Sequence, residues 1–172
     1  MNETFKMILV LVAVSVISAI ALTLVYEKTN PIIEENRKQE LNSALYEVLP
    51  EADEFKEINF DFSGTNILRA FKGLRNNEII GYVFLSETPG FQSYIKVLIG
   101  TDTEKIVNVK ILEHLETPGL GSRITQKEFL LQFKNTEIKT KEYDTITGAT
   151  ISSTAVVNSV KETEDYILKI IK

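Results

Sequence analysis

The chain has 172 residues, room for one domain of common size, with 44% hydrophobic residues, 25% charged residues and a net charge of −5, a globular composition. With no cysteine and a single histidine, His114, it cannot build a thiolate-ligated iron–sulfur cluster, a Cys-x-x-Cys-His haem attachment, a disulfide, a cysteine-linked lipid anchor or a multi-histidine metal site. The acidic balance lies beyond Tyr26, because Glu3 and Lys6 cancel before it, and it argues against nucleic acid or an anionic lipid surface as partner.

The first element is the uncharged run Met7–Tyr26, "MILVLVAVSVISAIALTLVY". Roughly 20 residues at 1.5 Å each span about 30 Å, the thickness of a bilayer's hydrocarbon core. Ser15, Ser18 and Thr23 are tolerable there, since short hydroxyls bond back to the preceding turn. Ala19-Ile20-Ala21 could pass for a signal-peptide cleavage site, but the apolar run continues beyond it, which favours a single-pass anchor. Lys6 precedes the run while Glu27 and Lys28 cancel after it. The positive-inside rule then leans towards a cytoplasmic segment 1–6, a transmembrane helix 7–26 and the rest of the chain outside.

Residues 27–50 read as a juxtamembrane helix. Asn30 is a candidate cap, Pro31 fits a first helical position, Leu41, Ala44, Leu45 and Val48 recur at helical spacing, and Pro50 ends the run. The expectation is a plain stalk without chemistry. Between 55 and 115 the period changes. "NILRAFKG", "EIIGYVFLSE", "YIKVLIGTD" and "KIVNVKILEHL" are strand-like runs separated by Asn76-Asn77, Thr88-Pro89-Gly90 and Thr101-Asp102-Thr103. Strands this close in sequence are most simply antiparallel. Thr125 and Glu128 resemble a capping box before "FLLQF". A closing helix is expected from Ser152 or Ser153, with Val156, Val157, Val160, Ile167, Ile170 and Ile171 on one face. The fold class is therefore α+β: an N-terminal transmembrane helix, then an antiparallel sheet with packed helices over 51–172.

Two strings stand out. "TGAT", Thr147-Gly148-Ala149-Thr150, lies just before the closing helix. By itself it reads as a turn and a helix cap. Its small residues and the helix start behind it would also let a phosphate approach a hydroxyl. "EHLETPGLGSR" at 113–123 leaves a strand for a loop stiffened by Pro118, Gly119 and Gly121, whose backbone could approach a flat ligand. Glu-Thr-Pro-Gly occurs twice, at 87–90 and 116–119.

The anchor, "HLETPGLG" at 114–121 and "DTITGAT" at 144–150 together resemble the G subunits of the Rnf ferredoxin:NAD oxidoreductase, relatives of the C subunit of the sodium-pumping NADH:quinone reductase. The resemblance covers most of the chain. In that FMN-binding family a flavin transferase uses FAD to place FMN on the last hydroxyl of an Asp-x-x-[Ser/Thr]-Gly-Ala-[Ser/Thr] motif. It implies Thr150 as the covalent phosphoester site, framed by Asp144, Thr147, Gly148 and Ala149. It further implies that Glu116, Thr117, Pro118, Gly119, Leu120 and Gly121 meet the flavin ring, through backbone N–H groups and the Leu120 side chain. Thr145 stands where the family often has glycine, and "ETPGF" at 87–91 is given no functional role. Ser152 and Ser153 are the alternative acceptors.

The implied function is an electron relay without separate substrate turnover, in a complex that couples electron transfer to Na⁺ or H⁺ movement. Implied partners are a second flavin-carrying membrane subunit, iron–sulfur subunits and the flavin transferase. The implied location is the cell (inner) membrane, single-pass, with the FMN domain on the extracytoplasmic side. The quinone-reductase C subunit and a non-redox anchored binding ectodomain are the competing readings.

Overall fold

A computed structural model describes residues 2–59 and 61–170. The chain divides into two units, 1–40 and 41–172.

In the first unit the helix α1, Glu3–Val48, begins and carries the apolar run. It is long and apolar enough to cross a membrane, and none of its apolar window is buried within the protein. Ser15 and Thr23 donate to the carbonyls four residues back, Leu11 and Ala19, at 2.9 Å each. The expected second start at Asn30–Pro31 does not occur, because α1 runs through with Pro31 inside it. A proline removes one N–H···O bond from a helix, and the ladder continues on both sides of this one.

The second unit is built on six antiparallel strands in sequence order: β1 Glu54–Ile58, β2 Ile67–Arg75, β3 Glu78–Pro89, β4 Tyr94–Thr101, β5 Lys105–Glu113 and β6 Thr136–Glu137. Asn76 and Asn77 take φ of 51° and 68°, the left-handed pair that closes a tight β2–β3 hairpin. The expected turn at Thr88-Pro89-Gly90 begins later than its residues suggest, since β3 extends to Pro89 and the reversal uses 90–93. The strands β1 and β6 went unread in the sequence.

Alternation in β4 faces two cores. Val97 and Ile99 pack with Val109 and Ile111 of β5 and with Val156, Val157 and Val160 of the final helix, α3, which spans Thr150–Ile170. Leu98, pointing the other way, joins Phe71, Val83 and Leu85 against Leu41, Ala44, Leu45 and Val48. The last two turns of α1 are thus core, where the sequence suggested a plain stalk. Lys110 Nζ reaches Glu47 Oε1 at 2.7 Å and the Asn108 amide donates to the Glu47 carbonyl at 3.0 Å, fixing that helical end on the sheet. Ile167 belongs to a third cluster with Ile67, Ala70 and Phe84. The side chain of Ile170 and all of Ile171, which the sequence places on the same helical face, lie outside the described residues.

Between β5 and β6 run a 3₁₀ turn, Gly121–Thr125, the short helix α2, Lys127–Leu130, and a second 3₁₀ turn, Leu131–Phe133. The Thr125–Glu128 capping box does not form. Gln126 occupies the cap position without a side-chain bond, and the Thr125 hydroxyl donates back to the Ser122 carbonyl at 2.9 Å. The preceding 3₁₀ turn has already claimed that hydroxyl.

Candidate functional site

The helix α3 begins at Thr150, two or three residues before the expected start. Gly148 has φ of 84° with open space where a Cβ would stand, so the backbone conformation, not crowding, calls for glycine there. The turn is locked from behind. Ala149 N–H donates to the Ile146 carbonyl at 2.9 Å, Ile146 N–H donates to Ser153 Oγ at 2.9 Å, and that hydroxyl donates to the Ala149 carbonyl at 2.8 Å. Ser153 is 0% exposed and Ser152 is 2% exposed, and the Ser152 hydroxyl is bonded to Glu116 Oε2. Both alternative hydroxyls are therefore sequestered, while Thr150 is exposed.

Thr150 lines a hollow of about 350 Å³ together with Gly148, Ala149, Ile151, Ser152, Glu116, Thr117, Leu120, Gly121 and Phe91. That volume sits at the lower end of the roughly 300–1,000 Å³ usual for small-molecule sites. Its rim is apolar and open: Phe91, Leu120 and Ile151 are 66%, 53% and 55% exposed. Three large apolar side chains left in water around one concavity are the mark of a surface awaiting a ligand or partner.

Not every residue singled out in the sequence meets here. Asp144 and Thr147 line a separate hollow with Arg123, Gln126, Glu128 and Gln132. The Asp144 backbone is pinned there: its N–H donates to Gln132 Oε1 at 2.7 Å and its carbonyl accepts from Gln132 Nε2 at 3.1 Å. Arg123 Nη1 donates to the Thr147 carbonyl at 3.2 Å. In the second loop, Pro118 and Gly119 are exposed and stand outside the lining. Most of this loop's N–H groups are spent within it, against expectation. Gly119 N–H donates to Ser122 Oγ at 2.9 Å, Leu120 N–H to the Thr117 carbonyl at 3.2 Å, and Glu116 N–H to His114 Nδ1 at 3.2 Å. What the loop presents to the hollow is mainly the Leu120 side chain.

Phe91 is the residue that sequence reasoning passed over. Its own "ETPGF" was the available signal, because the first Glu-Thr-Pro-Gly leads into a hairpin that folds onto the second. Phe91 N–H and Gln92 N–H donate to Glu116 Oε1 at 3.0 and 3.1 Å. Burial pushes the Glu116 carboxyl up, but the Ser152 hydroxyl and the N–H groups of Gln92, Phe91 and Ser93 outweigh it and hold the group below its ordinary value.

An exposed hydroxyl on a helix start, beside an apolar hollow, suits a flavin mononucleotide: a phosphate there would meet a positive helix terminus and a ring would find apolar walls. The class this fold and site define is the FMN-binding domain, whose family model matches residues 90–164. The G subunit of an ion-translocating oxidoreductase complex from Methanosarcina acetivorans is 33% identical, with 96% of this chain and 95% of that protein covered. The G subunit of a proton-translocating ferredoxin:NAD(+) oxidoreductase complex from Clostridium ljungdahlii is 32% identical, covering 96% and 92%. The chain belongs to the family of ion-translocating oxidoreductase complex G subunits. In fold it is similar to the crystal structure of the C subunit of a Na(+)-translocating NADH-quinone reductase from Parabacteroides distasonis, with TM-score 0.56, 16% identity and coverage of 77% and 93%.

Proposed function

We propose that Thr150 carries FMN as a phosphoester and that the chain relays electrons within a membrane-bound ferredoxin:NAD oxidoreductase that moves Na⁺ or H⁺. The observation that carries this reading is the contrast among the hydroxyls at 147–153: Thr150 is exposed on the hollow, Thr147 lies on the neighbouring one, and Ser152 and Ser153 are buried and bonded. A transferase can reach Thr150 on the hollow and cannot reach Ser152 or Ser153.

When bound, the flavin supplies the ability to pass electrons singly or in pairs. The protein's own residues do the rest. Thr150 tethers, so local concentration stays high whatever the strength of non-covalent contacts. The N-terminus of α3 favours the phosphate charge. Phe91, Leu120 and Ile151 give the hollow an apolar rim for the ring. Asp144 and Thr147, on the neighbouring hollow, serve recognition by the flavin transferase in this reading. The helix α1 anchors the chain in the cell membrane, with the flavin domain on the extracytoplasmic side. The further partners are the complex's second flavin-carrying membrane subunit and its iron–sulfur subunits.

Intact mass of the chain co-expressed with a flavin transferase tests the reading. The expected result is the sequence mass plus one FMN less one water, with fluorescence surviving denaturation, and loss of both in Thr150→Ala. A wild-type chain without flavin overturns it, and fluorescence persisting in Thr150→Ala moves the acceptor elsewhere.

A further inference from the structure

Glu116 is 4% exposed, yet each partner of its carboxylate among the described residues is uncharged: the N–H groups of the 91–93 turn on one side and the Ser152 hydroxyl on the other. A buried anion without a cation depends wholly on such donors, and here they more than offset its burial. Two glycines are also committed to it. A Cβ on Gly90 would run into Glu116 Oε1, and one on Gly121 would lie 2.9 Å from Oε2 and 3.1 Å from Ser152 Oγ. The carboxylate therefore joins three segments distant in sequence. The β3–β4 turn brings Phe91, the loop after β5 brings Leu120, and the first turn of α3 brings Thr150 and Ile151, all onto one hollow.

We infer that Glu116 is a positioning residue for the flavin: it clamps these three segments into one cradle and sets a fixed negative charge in the wall of the hollow, which lowers the flavin's reduction potential. Reduction adds negative charge to the flavin, and a neighbouring carboxylate in a desolvated wall opposes that addition. The inference rests on Thr150 as the flavin carrier, but its two parts separate from that reading by experiment.

The clamp is tested without flavin, in the full-length Thr150→Ala chain in detergent. Adding Glu116→Gln is expected to speed hydrogen exchange at the Phe91 and Gln92 amides by roughly tenfold, the loss of about 1.4 kcal/mol of local protection, with the β4 amides unchanged. Unchanged exchange at 91 and 92 overturns the clamp, whatever the flavin result. The charge is tested by potentiometric titration of flavin carried by the otherwise wild-type chain. Glu116→Gln is expected to raise the midpoint potential, read per flavin and so independent of loading. Ser152→Ala, which keeps the charge and cuts the clamp to α3, is expected to lower the flavin's fluorescence anisotropy while moving the midpoint less than Glu116→Gln does. A Glu116→Gln midpoint equal to wild type overturns the electrostatic part. Should Glu116→Gln not fold, the Ser152→Ala chain decides: wild-type anisotropy and wild-type exchange at the start of α3 overturn the inference.

Discussion

Glu116 and Glu164 are both nearly buried carboxyls, at 4% and 3% exposure, and they respond to pH in opposite senses. Glu116 is held below its ordinary value of 4.5. Its stabilisation is present above that value and is lost as pH falls through the lowered one. Urea unfolding should therefore show Glu116→Gln losing less stability than wild type on acidification below about pH 4.5. Glu164 is raised: burial drives it up, and the Tyr143 hydroxyl bond at 2.6 Å only partly opposes this. Its contribution is present below 4.5 and is lost as pH rises through the raised value. The stability difference should move in favour of Glu164→Gln as pH climbs, measured by thermal unfolding at several pH values. Tyr143, whose own hydroxyl is pushed up by burial and by Glu164, precedes the Asp144–Thr150 turn. Removing its hydroxyl in Tyr143→Phe leaves Glu164 short of a donor, at a cost of about 1–3 kcal/mol.

At the scale of elements, the strands with several Ile, Val and Phe were legible because their apolar runs outlast the turns between them. The strand β1, "EFKEI", was not. It is an edge strand with three charged residues in five, which protects an unpaired edge but erases the alternation that reveals a strand. The strand β6 has two residues, too short for any period. The start of α1 was legible and its middle was not, because Pro31 reads as a helix opening and here only interrupts one bond. The site was legible in pieces. Each loop could be found from its glycines and prolines, but the joint between them could not, since Glu116 meets Phe91 at a separation of 25 residues and Ser152 at 36. Gly148 gives a test at this scale. With φ of 84° and no neighbour within 4 Å, Gly148→Ala should cost about 1 kcal/mol from backbone strain alone. Chemical unfolding would read that value, and a change near zero would mean the turn relaxes.

For the whole molecule, the division between units at Glu40 and Leu41 matters more than the end of the helix at Val48. Leu41, Ala44, Leu45 and Val48 cover one face of the sheet, as α3 covers the other. A chain beginning at Leu41 is expected to fold and melt cooperatively, whereas one beginning at Glu51, the boundary suggested by Pro50, should lose cooperativity. Circular dichroism melts of the two decide the point. Phe133, 0% exposed and in contact with the rings of Phe129 and Tyr143 at 5.4 and 4.8 Å, tests the opposite face: Phe133→Ala should cost about 3–5 kcal/mol.

Because the sheet is a meander covered at last by its C-terminal helix, the order of synthesis has a consequence. Until α3 is made, the Ile95, Val97 and Ile99 face has only Ile124, Phe129, Phe133 and Tyr143 to cover it and lacks Val156, Val157 and Val160, which leaves apolar surface open in the unfinished chain. The turn that presents Thr150 depends on Ser153 and Ser152, both in the first turn of α3, so it takes shape only once that helix has started. Attachment of a flavin at Thr150, as proposed, would therefore report that the helix closing the fold has formed. A maturation enzyme reading that turn would act as an inspector of folded molecules.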